Sequence, residues 1–206
     1  MNKNQDYISD IAAIRVMMER SSKFLSLSGW AGVMAGLYAL VGAYLAHQLV
    51  GFVPPDTLFT VVDPAETELL YSVALAIAVL IFSILSAAYL SHRRAERQGE
   101  SIRNSSSKQM LLHMAPSLVA GGLLTLILLL QGLAAFAAPL TLLFYGLSLF
   151  NASQFTFNEL RYLGILLITL GLASVLLPHL GLLFWAIGFG LLHIVYGVYI
   201  HMKYQR

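Results

Sequence analysis

Residues 92–108, HRRAERQGESIRNSSSK, hold five of the chain's twelve Lys and Arg residues, whereas residues 51–68, GFVPPDTLFTVVDPAETE, hold none. Between them runs an apolar stretch long enough to cross a bilayer. The contrast repeats along the chain. Lys3, Arg15, Arg20 and Lys23 precede the first apolar stretch, Arg161 lies between the fourth and fifth, and Lys203 and Arg206 follow the sixth. The intervening connections carry no positive charge, and the first of them holds Asp56, Asp63, Glu66 and Glu68. Basic loops are retained on the cytoplasmic side during insertion, so this alternation predicts six spans with both termini inside.

The expected fold is an all-α membrane protein, a six-transmembrane-helix bundle preceded by a short amphipathic helix. Residues 27–202 form the membrane domain, with spans near 27–50, 68–91, 114–134, 137–152, 157–177 and 180–202. Residues 1–26 form a cytoplasmic segment and 203–206 a cytoplasmic tail. A span takes about 20 residues, so six use more than half of the 206 and leave no room for a soluble domain. Composition agrees: 11% of residues are charged, against about 25% in soluble domains, and the mean hydropathy is +0.76. The net charge of +2 informs less than its placement, which orients the protein and gives no support to nucleic-acid binding. The absence of cysteine excludes disulfides, thiolate metal sites and cysteine nucleophiles. The opening MNKNQDYISD is polar and acidic, so it does not read as a cleaved signal peptide.

Tyr7, Ile11, Ile14, Met18 and Leu25 fall on one helical stripe, with Arg15–Glu19 and Glu19–Lys23 as i,i+4 pairs on the polar side. Pro54, Pro55 and Pro64 make 51–68 an irregular outer turn. The basic loop is expected to begin as helix and to loosen through Asn104–Ser107. Thr156-Phe-Asn-Glu159 fits a capping box at the start of the fifth span. Ser21-Ser-Lys23 and Ser106-Ser-Lys108, each followed at the same offset by Ala-Gly (Ala35-Gly36, Ala120-Gly121), hint at a repeat and at three stacked helical hairpins. An inverted three-plus-three repeat would need matched broken helices in the two halves, which the sequence lacks.

Small residues are spaced for close helix approach: Gly29, Gly32 and Gly36 on the first span, Gly164 and Gly171 on the fifth, Gly190 and Gly197 on the sixth. Packing within the chain and a dimer face are both open. His193 is the ionisable residue near the bilayer midplane, roughly 3 Å from the centre of its span at the helical rise. With Tyr196 it is a candidate ligand or proton site. The competing reading is a neutral imidazole hydrogen-bonded to a Tyr or Ser of a neighbouring helix, locking register. Asn151, Glu159, Arg161 and Tyr162 gather at the inner mouth of the fifth span, as a polar vestibule with a gate ion pair or as a cap plus an anchor. Catalytic templates fail. A serine–histidine membrane protease would pair Ser148 with His193, but Ser148 stands near the inner end of its span, away from where that chemistry needs it. No HExxH, paired intramembrane Asp or phosphate-cradling Gly loop occurs.

The stretches IRVMMERSSKFLSLSGWAGVMAG (14–36) and NASQFTFNELRYLG (151–164) resemble segments of a family of small bacterial six-helix integral membrane proteins. That resemblance implies no activity. The expected location is the cytoplasmic (inner) membrane. The expected function is binding without catalysis, as a sensor or accessory subunit for a small ligand, a lipid or a partner. A small transporter or channel lined by His193 and the inner mouth of the fifth span is the alternative, and a haem-binding or other membrane enzyme the third reading. No cofactor or metal is expected. The partners expected are membrane lipids, a protein docking on residues 7–25, and a second copy of the chain.

Overall fold

The computed structural model describes residues 27–48, 57–59, 61, 66–97, 99 and 105–205. Among them, six helices are long and apolar enough to cross a membrane, and no strand occurs. They are α1 (Gly29–Gln48), α2 (Glu66–Arg97), α3 (Ser105–Leu130), α4 (Ala134–Phe155), α5 (Glu159–Leu176) and α6 (Pro178–Tyr204). Their number and character support a multi-pass membrane protein, as the charge alternation predicts. The amphipathic stripe within residues 1–26 and most of the 51–68 turn lie outside the described residues.

Helix ends depart from the apolar limits on the basic side. α2 runs on to Arg97 instead of ending at 91, because Ala, Arg and Glu are good helix formers and His92 meets Glu96 at 3.2 Å one turn later. Gly99, in the left-handed region at φ +67°, stops it by donating its N–H to Glu96 O at 3.1 Å. α3 starts at Ser105, well before the expected 114. Ser106 and Ser107, expected in a loosening loop, are buried in its first turn. Hydropathy marks where the hydrocarbon ends, and helices continue past it. With 32 residues, α2 is roughly 48 Å long against a hydrocarbon thickness of about 30 Å, which lifts its terminal arginines out of the apolar layer.

α6 stands between α1 on one side and the α4–α5 pair on the other, while α2 packs chiefly on α1 and α3 chiefly on α4. Three stacked hairpins are therefore not the arrangement. α5 and α6 are consecutive, yet α5 lies mainly on α4 and α6 mainly on α1. Glycine explains the choice, since burial from lipid gives helices no hydrophobic drive to associate and backbone contact must supply it. A Cβ on Gly29 would stand 2.5 Å from Gly197 O, and one on Gly36 2.6 Å from Gly190 O. A Cβ on Gly32 would stand 3.2 Å from Gly197 Cα. A second seam joins α4 to α5, where a Cβ on either Gly146 or Gly164 would meet the other's carbonyl at 2.7 Å. Beside it lies the core of Leu142, Leu149, Ala152, Leu160, Leu163 and Leu167. The apolar window of α2 is 0% buried and that of α3 6%, so their side chains face outward, as lipid-facing helices do.

Candidate functional site

α6 is not a uniform helix. Residues Ala186–Leu191 form a π turn, in which Leu192 N–H reaches back five residues to Ile187 O. Regular α spacing resumes at Leu192. A return from five-residue to four-residue steps passes over one carbonyl, and the next in line after Ile187 is Gly188. An unpaired carbonyl in a membrane core costs several kcal/mol, roughly, unless another donor reaches it. His193 is that donor: its Nδ1 lies 2.9 Å from Gly188 O. Because a carbonyl only accepts, Nδ1 carries the proton, and Nε2 is left to accept from the Tyr145 hydroxyl of α4 at 3.4 Å. The imidazole stacks on Phe189 at 5.9 Å and lies 5.6 Å from the Tyr145 ring.

His193 is 6% exposed. It sits inside the bundle, as its small neighbours imply, but its ring partners are Tyr145 and Phe189 rather than Tyr196. Its backbone oxygen faces α1, 3.2 Å from where a Cβ of Gly32 would stand. Gly188 itself has no room for a side chain: a Cβ there would collide with Leu142 and lie 2.9 Å from Leu167 Cδ2. Tyr196 packs against the α4–α5 core, and its hydroxyl is buried without a hydrogen-bond partner among the described residues. Ser148 is fully buried, its hydroxyl directed to Phe144 O at 2.9 Å and Met114 O at 3.3 Å. Serine and histidine thus serve different carbonyls.

The four residues expected at the inner mouth of the fifth span do not form one cluster. Glu159 turns to α6, where its Oε1 accepts from Lys203 Nζ at 2.6 Å and from Tyr204 OH at 2.8 Å. α5 begins at Glu159 with Asn158 as its N-cap, two residues later than a cap at Thr156 would start it. Arg161 lies over the Phe150 ring at 5.0 Å, Tyr162 is exposed, and Asn151 is half-buried in the last turn of α4. A Glu159–Arg161 gate pair is replaced by Glu159–Lys203, a link between helices that sequence spacing does not reveal.

Arg94 is a residue that the charge pattern alone undervalues. Its guanidinium donates to Leu27 O at 2.9 Å and to Tyr204 O at 3.4 Å, tying the start of α1 and the end of α6 to α2. Ser91 Oγ accepts from Ser28 N–H at 3.3 Å in the same place. Gln205, with its amide oriented to satisfy both ends, accepts from Gly29 N–H at 2.6 Å and from Arg94, and donates to His201 Nδ1 at 3.2 Å. Among the described residues, no three His, Asp or Glu residues gather as metal ligands.

No family model, curated protein or solved structure matches the chain, so the likeness of 14–36 and 151–164 to small bacterial six-helix proteins carries no family assignment.

Proposed function

We propose that this protein works by binding rather than by turnover or transport, as a sensor or accessory subunit in the membrane. The observation that carries the reading is the condition of His193. The ionisable group nearest mid-membrane is sealed, with one ring nitrogen on Gly188 O and the other facing Tyr145 OH. A group lining a proton or solute path would keep a nitrogen open to water. The imidazole instead repairs the backbone of its own helix. In this reading the open apolar faces of α2 and α3 meet lipid or a partner helix, the stripe at residues 7–25 docks a cytoplasmic or membrane protein, and the basic ends of the helices face the cytoplasm of a bacterial inner membrane.

The test uses purified protein in pyranine-loaded proteoliposomes under imposed proton and potassium gradients. The expected result is a leak equal to that of protein-free vesicles. A protein-dependent flux abolished by His193→Gln, with folding retained, would establish transport and overturn the reading.

A further inference from the structure

At the basic end of the bundle, the start of α1, the last turns of α2 and the end of α6 frame a cavity of about 470 Å³. Its charged lining is Arg93, Arg94 and Arg97, beside Trp30, Tyr89 and His201, and among the described residues no Asp or Glu lines it. Arg94 is committed to the wall through Leu27 O and Tyr204 O. Arg93 and Arg97 are i,i+4 neighbours on one face of α2. Arg93 lies over the Tyr89 ring at 5.3 Å, and neither has a carboxylate partner among the described residues. The Trp30 and His201 rings are 5.3 Å apart on the opposite side.

Arg93 and Arg97 therefore bring two like charges to one cavity with no described carboxylate beside them, an arrangement that favours the entry of an anion. Guanidinium forks match phosphate oxygens two at a time, and the volume is that of a small-molecule site. Trp30 and Leu90 are apolar walls at the bilayer boundary, where aromatic side chains mark the headgroup level. A basic pocket between membrane helices at that level suits a lipid headgroup. We infer that this cavity is a site for a phosphate-bearing anion, namely the headgroup of an anionic phospholipid, whose glycerol and acyl chains leave past Trp30 and Leu90 into the bilayer. A zwitterionic headgroup brings its own cation against the arginines and is disfavoured. The inference rests on the reading of the protein as a binding protein and names its ligand class.

The experiment is native mass spectrometry of the full chain released from detergent after titration with phosphatidylglycerol or phosphatidylcholine, with thermal unfolding read in parallel. One phosphatidylglycerol should remain bound and raise the unfolding temperature, while phosphatidylcholine does neither. Arg93→Gln/Arg97→Gln should weaken retention by about tenfold or more, as expected for two charge-assisted contacts, and the loss should shrink at high salt. Arg161→Gln, a basic-end control stacked on Phe150 outside the cavity, should retain the lipid like the parent chain. Because both cavity arginines lie outside the buried core, the double variant is expected to fold; if it does not, Arg97→Gln alone carries the same comparison. Equal retention by parent and variant overturns the site. Displacement of the lipid by millimolar glycerol phosphate or inorganic phosphate, with the same arginine dependence, overturns the lipid source and leaves a soluble phosphate ester as the ligand. Flux in proteoliposomes together with arginine-dependent lipid retention defeats the binding-only reading but not the site; no flux and no retention defeats the site but not the reading.

Discussion

His193 donates from Nδ1 to the carbonyl of Gly188 at 2.9 Å, five residues earlier on the same helix. The side chain thereby closes the gap that the π turn leaves in the backbone ladder. π turns recur at functional sites, but here the freed carbonyl is met from within the helix.

Removing that donor should destabilise the fold more than removing its second partner. Interhelical hydrogen bonds in membranes average about 0.6 kcal/mol and reach about 1.7, so Tyr145→Phe is expected to cost within that range, whereas His193→Leu also leaves Gly188 O unpaired and should cost roughly several kcal/mol. In a double-mutant cycle their effects should be less than additive, because they share one contact. Tyr196→Phe should be neutral or slightly stabilising, since its buried hydroxyl has no partner among the described residues. Reversible unfolding in mixed micelles reads all three, and additive losses at 145 and 193 would refute the shared contact.

The glycine seams give a sharper contrast. Ala at Gly29, Gly146 or Gly164 would drive a methyl against backbone atoms at 2.5 to 2.7 Å, and overpacking of that kind costs about 1–3 kcal/mol. Gly122 has nothing within 4 Å of a built Cβ. Gly122→Ala should therefore be neutral or stabilising by up to about 1 kcal/mol, through helix propensity. A uniform response across the four positions would contradict the packing.

The helix ends make the orientation testable without removing any native thiol, since the chain has no cysteine. Thr57→Cys lies at the end opposite the arginines, and Lys108→Cys is exposed near the start of α3. In intact cells a membrane-impermeant maleimide should label the first and spare the second until the membrane is opened. Labelling of Lys108→Cys alone would reverse the topology.

Glu159 and Lys203 latch the start of α5 to the end of α6. Glu159→Gln should speed backbone hydrogen exchange across residues 199–205 and leave α1 residues 30–40 unchanged, and high salt should reproduce part of the effect in the parent chain. Unaltered exchange at 199–205 would show that Tyr204 and packing hold the end by themselves.

Much of this architecture was legible in the sequence. Positive charge on alternate connections predicts six helices because insertion responds to it directly, and Gly29, Gly32, Gly36 and Gly197 announce a close approach because little else explains glycine at helical spacing. What lay hidden depends on which helix meets which. Gly146 is an ordinary glycine until Gly164 faces it. Tyr145 becomes the partner of His193 only through the α4–α6 contact, and Glu159 finds Lys203 from 44 residues away. Arg93, Arg94 and Arg97 read as bulk positive charge, since a charge count does not show that α1 and α6 end beside them. The π turn has no periodic signature at all, since it adds one residue to an apolar run that still looks helical.

That added residue has a consequence for the length of α6. The first part of the helix, up to Gly188 inside the π turn, fits α4 and α5 against Leu142 and Leu167, and the part after the turn fits α1 through Gly197, against Gly29 and Val33. A chain one residue shorter between 186 and 191 could close to regular spacing, but everything after the deletion would swing by about 100°, the angle per residue of an α-helix. Gly197 would leave Gly29, and the polypeptide would have to choose which neighbour to keep. The two halves of the bundle are in phase because of a residue count, so a single-codon deletion here would do more harm than most substitutions of the side chains it removes.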